Sequence, residues 1–167
     1  IPEGKELLRE TIDEVVADVE RGKAAAAANA RETFVDGETV LTHDYSTTVL
    51  EAMETATQEG LHLSAYVTEA RPRYFGRKTA RALAANPRVE TTMIVDSAMG
   101  HALRECDRVV LGMTCITDRT YYNRIGTLPL VATANELDVP VTVVGSGAKV
   151  IDDFRFENEF RDAVEVM

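Results

Sequence analysis

Short apolar runs alternate with helical patterns from Thr39 to Val144, and this alternation constrains the fold more than any other feature of the chain. Parallel strands need long crossover connections, so strands separated by helices indicate a parallel sheet that is covered on both faces. The sequence therefore predicts a three-layer α/β/α domain with a mainly parallel sheet. Its expected strands are Thr39–Thr42, Leu61–Val67, Thr91–Val95, Arg108–Gly112 and Val141–Val144. Its expected helices are Thr47–Glu59, Arg73–Ala85, Ala98–Arg104 and Ile125–Leu137.

A different pattern precedes this domain. Residues 5–20 carry apolar side chains at helical spacing with acidic residues between them, and residues 23–33 are rich in alanine, which favours helix. We expect residues 1–38 to form a helical segment of one or two helices, the end of a larger helical region. Residues 39–167 should form the α/β domain. The chain begins with Ile1 rather than Met, so we expect it to be a piece of a longer polypeptide.

Composition narrows the possible partners and the cellular setting. The formal net charge is −10, which argues against a direct nucleic-acid ligand because phosphate backbones are bound by basic patches. Only four lysines occur, and a high acid count with scarce lysine is typical of a salt-rich cytoplasm, where self-repulsion is screened. No apolar run is long enough to predict a membrane span, and no signal peptide is recognisable. Two cysteines fit a reducing compartment. We expect a cytoplasmic, halophilic protein without a membrane partner.

The turn from Thr42 to Thr47 follows the first expected strand and precedes a helix. In open α/β sheets, ligands bind at the carboxyl ends of the strands, where such turns lie. His43, Asp44 and Tyr45 should therefore stand at the rim of a site, while Ser46 or Thr47 caps the helix. Further polar residues follow the other strands, and the same topology should bring them to this edge: Glu69, Arg71, Arg73, Asp96, Ser97, Thr114, Cys115, Asn123 and Arg124.

Two arginines at this edge could bind a phosphate, since a guanidinium group bonds phosphate through two parallel hydrogen bonds. We expect Arg124 to be the principal cation, at the start of the helix Ile125–Leu137, and Arg71 to be the second. The alternative is that each residue is only a cap or a surface charge, with Arg124 paired to an acid such as Asp118. Either way, the strand ends are where the sequence places its candidate site.

Other motifs are weaker. Gly76-Arg77-Lys78-Thr79 resembles the end of a phosphate loop, but the first glycine of that motif is missing. Gly145-Ser146-Gly147 lacks the rest of a dinucleotide fingerprint. The histidines and cysteines show no metal-ligand spacing, and Cys115 fits a buried structural thiol better than a nucleophile. We expect neither a metal nor a cofactor.

Five ordered segments resemble the translation initiation factor 2B alpha/beta/delta family, which also includes ribose-1,5-bisphosphate and methylthioribose-1-phosphate isomerases. The segments are Thr42–Ser46, Val67–Pro72, Gly76–Ala80, Asp96–Gly100 and Asn123–Thr127. The resemblance implies a Rossmann-like domain, self-association as a homodimer, and the alpha subunit of initiation factor 2 as a partner. It implies a phosphorylated sugar or nucleotide as ligand. Together with the strand-end reasoning, it places the expected ligand-binding residues at His43, Asp44, Tyr45, Ser46, Glu69, Arg71, Asn123, Arg124 and Lys149.

The chain departs from the isomerase members of that family at two positions. The resemblance implies a catalytic cysteine where this chain has Asp44 and a catalytic aspartate where it has Thr114. Isomerisation of a sugar phosphate requires groups that move protons. We therefore expect no catalytic residues and a non-catalytic, regulatory or scaffold protein of the factor 2B type. The alternatives are a sugar-phosphate isomerase of the ribose-1,5-bisphosphate isomerase type and a purely structural oligomerisation domain.

Overall fold

A computed structural model of the chain describes residues 2–153 and Val164. Its main sheet has five parallel strands, whose order in space differs from their order along the chain. The strands are β1 (Thr39–Thr42), β2 (Leu63–Thr68), β3 (Val89–Ile94), β4 (Arg108–Leu111) and β7 (Val141–Val143). Their order across the sheet is β3-β2-β1-β4-β7, and every pairing is parallel. Strands β1, β2 and β3 thus follow one another across the sheet in one direction, and β4 and β7 lie on the other side of β1.

Helices cover both faces of this sheet, which confirms the predicted three-layer α/β/α fold. The α-helices are α1 (Pro2–Arg31), α2 (Thr47–Gln58), α3 (Gly76–Ala84), α4 (Met99–Ala102) and α5 (Thr127–Glu136). Successive side chains of a strand point to opposite faces. Val40 accordingly packs into the core beneath α1, α2 and α3, while its neighbour Leu41 packs into the core beneath α4 and α5.

The last turns of α1 belong to the same core as the sheet. Ala27 and Ala30 are buried against α2, and Phe34 is buried just after the helix. Arg108 at the start of β4 fixes this junction, because its guanidinium pairs with Glu38 at 2.8 Å and donates to the backbone carbonyl of Thr33. The first part of α1 exposes an apolar stripe of Leu7, Leu8, Ile12, Val15, Val16 and Val19. None of the helices among the described residues is long and apolar enough to cross a membrane.

Several element boundaries differ from the sequence-based expectation. The helix expected from Arg73 begins at Gly76, and the helix expected from Ile125 begins at Thr127, so Arg124 precedes the first helical turn. The helix expected over Ala98–Arg104 is broken into the short α4 between two 3₁₀ turns, Asp96–Ala98 and Leu103–Glu105. A small antiparallel hairpin, β5 (Cys115–Ile116) with β6 (Tyr121–Tyr122), was not predicted.

The thiol of Cys115 is buried, and that of Cys106 is half-buried. Cys115 is 5% exposed. Cys106 lies before β4, where its Sγ donates to the carbonyl of Ala102 at 3.2 Å. Burial, together with the neighbouring acids Asp107 and Glu105, raises the pKa of the Cys106 thiol to about 12. Since the thiolate is the reactive form of cysteine, the raised pKa lowers the reactivity of Cys106 near neutral pH.

Candidate functional site

The strand order places a switch point between β1 and β4. The chain leaves β1 toward one side of the sheet and leaves β4 toward the other, and ligands of open α/β sheets bind in the crevice beyond such a point. The segments that follow these two strands touch there: a Cβ added to Gly112, after β4, would lie 2.3 Å from Oγ of Ser46. Only glycine therefore lets the end of β4 approach the turn after β1 this closely.

The turn after β1 is firmly held. Asp44 adopts a left-handed backbone conformation (φ 67°), which Asp and Asn tolerate better than most residues. Thr79 on α3 donates its hydroxyl to the backbone carbonyl of Asp44 at 2.6 Å. Ser46 is the N-cap of α2, as predicted, and its Oγ accepts from the backbone N–H of Val49 at 3.3 Å. The turn that carries Asp44 is thus held by contacts to two helices.

His43 joins three chain segments. Its Nε2 lies 2.7 Å from the carbonyl of Ile125, which can only accept, so Nε2 carries a hydrogen. Its Nδ1 lies 2.5 Å from Oγ1 of the fully buried Thr68, at the end of β2. The ring also packs on Gly126, where an added Cβ would lie 2.5 Å from Nε2. Because both ring nitrogens are occupied by protein groups, His43 positions the segment before α5 rather than reaching toward a ligand.

Asp44 and Arg124 form the central charge pair of the site. Nε of Arg124 lies 3.1 Å from Oδ2 of Asp44, and the side chains are 55% and 8% exposed, respectively. Burial raises the pKa of the Asp44 carboxyl above its ordinary value, while Arg124, the backbone N–H of Tyr45, His43 and Arg73 act in the opposite direction. Arg124 therefore does pair with an acid, as the alternative expected, but that acid is Asp44, whereas Asp118 pairs with Arg119.

The loop after β2 is shaped by a carboxylate from the next strand end. Asp96 accepts hydrogen bonds from the backbone N–H groups of Ala70, at 2.8 Å, and Arg71, at 2.7 Å. Ala70 has a left-handed conformation (φ 56°), and the Arg71–Pro72 peptide bond is cis. Glu69 pairs with Arg77 at 3.5 Å. Asp96 is therefore used to shape this loop.

Several arginine and lysine side chains at this edge of the sheet lie close to two neighbouring aromatic rings. The guanidinium of Arg71 lies 4.6 Å from the ring centre of Tyr74, and that of Arg77 lies 3.7 Å from it. Around Phe75 lie Arg73 at 4.9 Å, Lys78 at 5.3 Å and Arg124 at 5.3 Å from the ring centre. Cations over aromatic faces are attracted by the ring quadrupole, so these contacts hold positive charge beside the strand ends.

The remaining expected residues lie at the periphery or face protein groups. Tyr45 is 44% exposed beside Lys78, with 5.8 Å between its ring centre and the lysine Nζ. Asn123 donates to Oγ1 of Thr127 at 3.1 Å, across the start of α5. Lys149 donates to the carbonyl of Met113 at 2.7 Å. Thr114 is exposed in the loop after β4, and its backbone N–H donates to the carbonyl of Tyr122.

Sequence reasoning missed Thr68, Tyr74, Phe75 and Lys78. The aromatic pair was visible in the run Arg71-Pro72-Arg73-Tyr74-Phe75, where rings stand beside arginines. A separate open cleft of about 490 Å³ lies between the far ends of α2 and α3, at the amino-end edge of the sheet, and is lined by residues such as Glu54 and Arg88. We place the candidate site at the strand ends because that edge holds the buried carboxyl and the cluster of cations.

Metal-binding groups are not evident in this edge. Across residues 2–153 and Val164, no three side chains of His, Cys, Asp or Glu lie together so as to hold a metal ion. Cations and one buried carboxyl dominate instead, and such a set suits an anionic ligand. The fold and this edge define a Rossmann-like α/β domain with a positively charged candidate site at its topological switch point.

Comparison with known proteins identifies the family. The model of the initiation factor 2 subunit family matches residues 1–167, and the chain belongs to that family. Ribose 1,5-bisphosphate isomerase of Haloferax volcanii is 34% identical over 163 residues, which are 95% of this chain and 50% of the relative. The Methanocaldococcus jannaschii enzyme of the same name is 40% identical over 106 residues, 63% of this chain and 34% of the relative. The chain thus spans about half the length, or less, of these curated relatives.

Solved structures confirm the architecture. Translation initiation factor eIF-2B of Pyrococcus horikoshii has a TM-score of 0.75 and 28% identity, and covers 97% of this chain and 54% of its own. The tetrameric eIF2B-beta2-delta2 complex of C. thermophilum has a TM-score of 0.80 at 21% identity, covering 93% and 50%. The second likeness shows the fold alone.

The comparisons correct the expected function. Relatives named ribose 1,5-bisphosphate isomerase, at 33–40% identity, recur among five archaea besides Haloferax volcanii. The eIF2B subunit alpha of Caenorhabditis elegans is 30% identical over 150 residues, 89% of this chain and 49% of the relative. The leading prediction of a non-catalytic protein is therefore wrong, and the alternative prediction of a sugar-phosphate isomerase is better supported. The error came from treating the loss of two expected side chains as the loss of the activity.

Proposed function

We propose that this domain carries the sugar-phosphate site of an isomerase that acts on ribose 1,5-bisphosphate. The observation that carries the proposal is the Asp44–Arg124 pair, a buried carboxyl beside a half-exposed guanidinium at the switch point. The relatives of that name supply the substrate class. The other half of their length has no counterpart in this chain, so the activity of the whole protein is part of the proposal.

Asp44 is the proton-moving group in this proposal. Opening the ring of a ribose 1-phosphate breaks the bond between carbon 1 and the ring oxygen and requires a proton on that oxygen. The hydrogen on carbon 2 then moves with its electron pair to carbon 1, and the hydroxyl on carbon 2 releases its proton as the ketone forms. A carboxyl whose pKa is raised by burial keeps its proton closer to neutral pH, so one side chain can donate the first proton and accept the second. Asp44 then does the work for which the family resemblance implies a cysteine.

Arg124 is the principal phosphate ligand in this proposal, and Arg71 is the second. A charge-assisted hydrogen bond contributes ~1.5–3 kcal/mol. Both guanidinium groups lie on the aromatic pair, which keeps them at the strand ends. Lys149 and Asn123 already bond to protein groups, so they support the loops on the far side of the site.

Turnover of ribose 1,5-bisphosphate to the ketose tests the proposal. We expect Asp44→Asn to lower kcat by roughly 10²- to 10⁴-fold, the usual contribution of general acid–base catalysis. Asp138→Asn is a matched control, because Asp138 has the same left-handed backbone (φ 55°) but is exposed after α5. A wild type without turnover, or an Asp44→Asn variant with full turnover, contradicts the proposal.

We also propose that the chain forms a homodimer in a cytoplasm of high salt. The family resemblance supports self-association. Light scattering at high salt should give twice the 18.3 kDa of one chain. A mass of one chain across micromolar concentrations would contradict it. Contact with the alpha subunit of initiation factor 2 stays a prediction, supported only by the likeness to the Caenorhabditis elegans subunit.

A further inference from the structure

The Asp44–Arg124 pair is asymmetric. The carboxylate is almost entirely buried, whereas more than half of the guanidinium side chain faces solvent. Arg124 also has a second anchor, because its guanidinium lies 5.3 Å from the ring centre of Phe75. The guanidinium can therefore keep its place if its carboxylate partner is replaced.

Positive charge around this pair exceeds the negative charge. Arg73 acts electrostatically on Asp44, and Lys78 shares the Phe75 ring with Arg124. The first turn of α3 carries Arg77 and Lys78 and no acid, although cations are disfavoured at the positive end of a helix. Glu69 offsets Arg77. In a chain of net charge −10, this local excess leaves room for an anion of more than one charge.

We propose that Asp44 occupies, as an internal carboxylate, the place at Arg124 that a phosphoryl group of a bound ligand takes, and that this ligand displaces it. A phosphoryl dianion carries twice the charge of a carboxylate and matches the guanidinium fork equally well. It therefore competes successfully for Arg124 whenever its concentration is high enough. The proposal rests on the proposed function for its ligand class, a sugar phosphate, but requires no turnover.

Displacement changes the state of Asp44. Once the phosphoryl group bonds to Arg124, the buried carboxylate loses its hydrogen bond to its strongest cationic neighbour, so its pKa rises further. The carboxylate then binds a proton from solvent more readily, and ligand binding is accompanied by proton uptake. The other groups that face Asp44 are His43, Arg73 and the backbone N–H of Tyr45. Ligand binding thereby produces the protonated acid that ring opening needs.

Anion titrations at constant ionic strength test this exchange. The probes are sulfate, inorganic phosphate and ribose 5-phosphate, measured by calorimetry on wild type, Asp44→Asn, Asp138→Asn and Arg124→Gln. We expect Asp44→Asn to bind sulfate about 2- to 5-fold more tightly than wild type at pH 7.5, because an internal competitor worth one partly exposed ion pair is removed. Asp138→Asn should match wild type, and Arg124→Gln should bind at least about 10-fold more weakly. Tighter binding of ribose 5-phosphate than of inorganic phosphate identifies the sugar phosphate as the source of the phosphoryl group.

The pH dependence of sulfate binding tests whether Asp44 is the group that changes its protonation state. Sulfate stays a dianion between pH 8 and pH 5, so changes in its affinity report on the protein. We expect the wild type to gain affinity as pH falls and to take up protons on binding, and the advantage of Asp44→Asn to shrink in parallel. The difference between the two proteins removes the pH effects of all groups that do not interact with Asp44.

Three outcomes would overturn the proposal: equal or weaker sulfate binding by Asp44→Asn at pH 7.5, unchanged binding by Arg124→Gln, or no binding of any probe by a folded wild type. Circular dichroism establishes that each variant is folded. If Asp44→Asn does not fold, Asp44→Gly serves instead, since glycine accepts the left-handed conformation. Tighter anion binding without isomerase turnover would leave this proposal standing and reject the proposed function.

Discussion

Asp44 combines three properties that rarely meet in one surface loop. Its backbone is left-handed, its carboxyl is buried, and its charge partner is more exposed than it is. Such a carboxyl costs the folded state free energy in its ionised form, because its solvation is lost and only partly replaced. A residue with this energetic cost is a candidate for function, since strain and perturbed pKa values cluster at functional sites.

Stability should depend on pH through Asp44. Since the folded pKa lies above the unfolded one, ionisation penalises folding above the folded pKa, and the penalty disappears below the unfolded pKa, near ~3.9. We expect Asp44→Asn to melt at a higher temperature than wild type at pH 7.5, and the gap to close as pH falls toward 4. Asp138→Asn should show no such gap in melting scans from pH 8 to pH 4. A gap that is negative, or constant with pH, would show that Arg124 compensates Asp44 fully.

At the level of elements, the site depends on where α5 begins. Gly126, the N-cap of α5, has φ 96° and sits against the His43 ring, which in turn holds the carbonyl of Ile125. Arg124 thus lies in an irregular segment that His43 links to β1 and β2. A helix that started at Ile125 would have Arg124 directly at its start instead, as the sequence predicted.

A pair of glycine substitutions measures the contact between α5 and β1. Gly126 and Gly37 both have positive φ, so alanine at either costs roughly 1–2 kcal/mol of backbone strain. An added Cβ meets open space at Gly37 but His43 at Gly126. We expect Gly126→Ala to lower the free energy of unfolding by a further ~1–3 kcal/mol, the usual cost of overpacking. Denaturant titration compares the two variants. Equal losses in the free energy of unfolding would mean that the His43 ring moves aside at no energetic cost.

Most helices and strands could be predicted from the sequence, whereas the contacts between them could not. Buried strands such as β1 and β4 follow from apolar runs, and Ser46 was identifiable as a cap because short polar side chains favour that position. The start of α5 was misplaced because Ile125 fits the helical spacing although it is 75% exposed. The two-residue strands of the β5–β6 hairpin are too short for an alternating pattern. The Asp44–Arg124 pair joins residues 80 positions apart, so it required the strand order of the sheet.

On the scale of the whole molecule, charge is unevenly distributed. The chain carries 28 acidic and 18 basic side chains, yet five of the basic ones gather at one edge around Tyr74 and Phe75. The remaining surface is consequently more acidic than the net charge suggests. Anionic ligands are repelled by most of the surface and attracted by one edge, which favours binding there.

Salt should stabilise this molecule. Screening shortens the Debye length from about 8 Å at 0.15 M to about 3 Å at 1 M, which weakens repulsion among the acidic residues. We expect the melting temperature to rise between 0.15 M and 2 M KCl. Buried contacts such as Arg108–Glu38, 10% exposed on both sides, should be little affected. A melting temperature that falls or stays constant with KCl would contradict the expected halophilic character.

The low reactivity expected of the two natural thiols has a consequence for spectroscopy. Maleimides and iodoacetamides react with accessible thiolates, whereas the pKa of the Cys106 thiol is raised to about 12 and Cys115 is 5% exposed. A cysteine introduced by Ile125→Cys, where the natural side chain is 75% exposed next to Arg124, would be the single labelling position on an otherwise unmodified chain. A fluorophore or spin label attached there would report directly on the arrival of an anion at the strand ends.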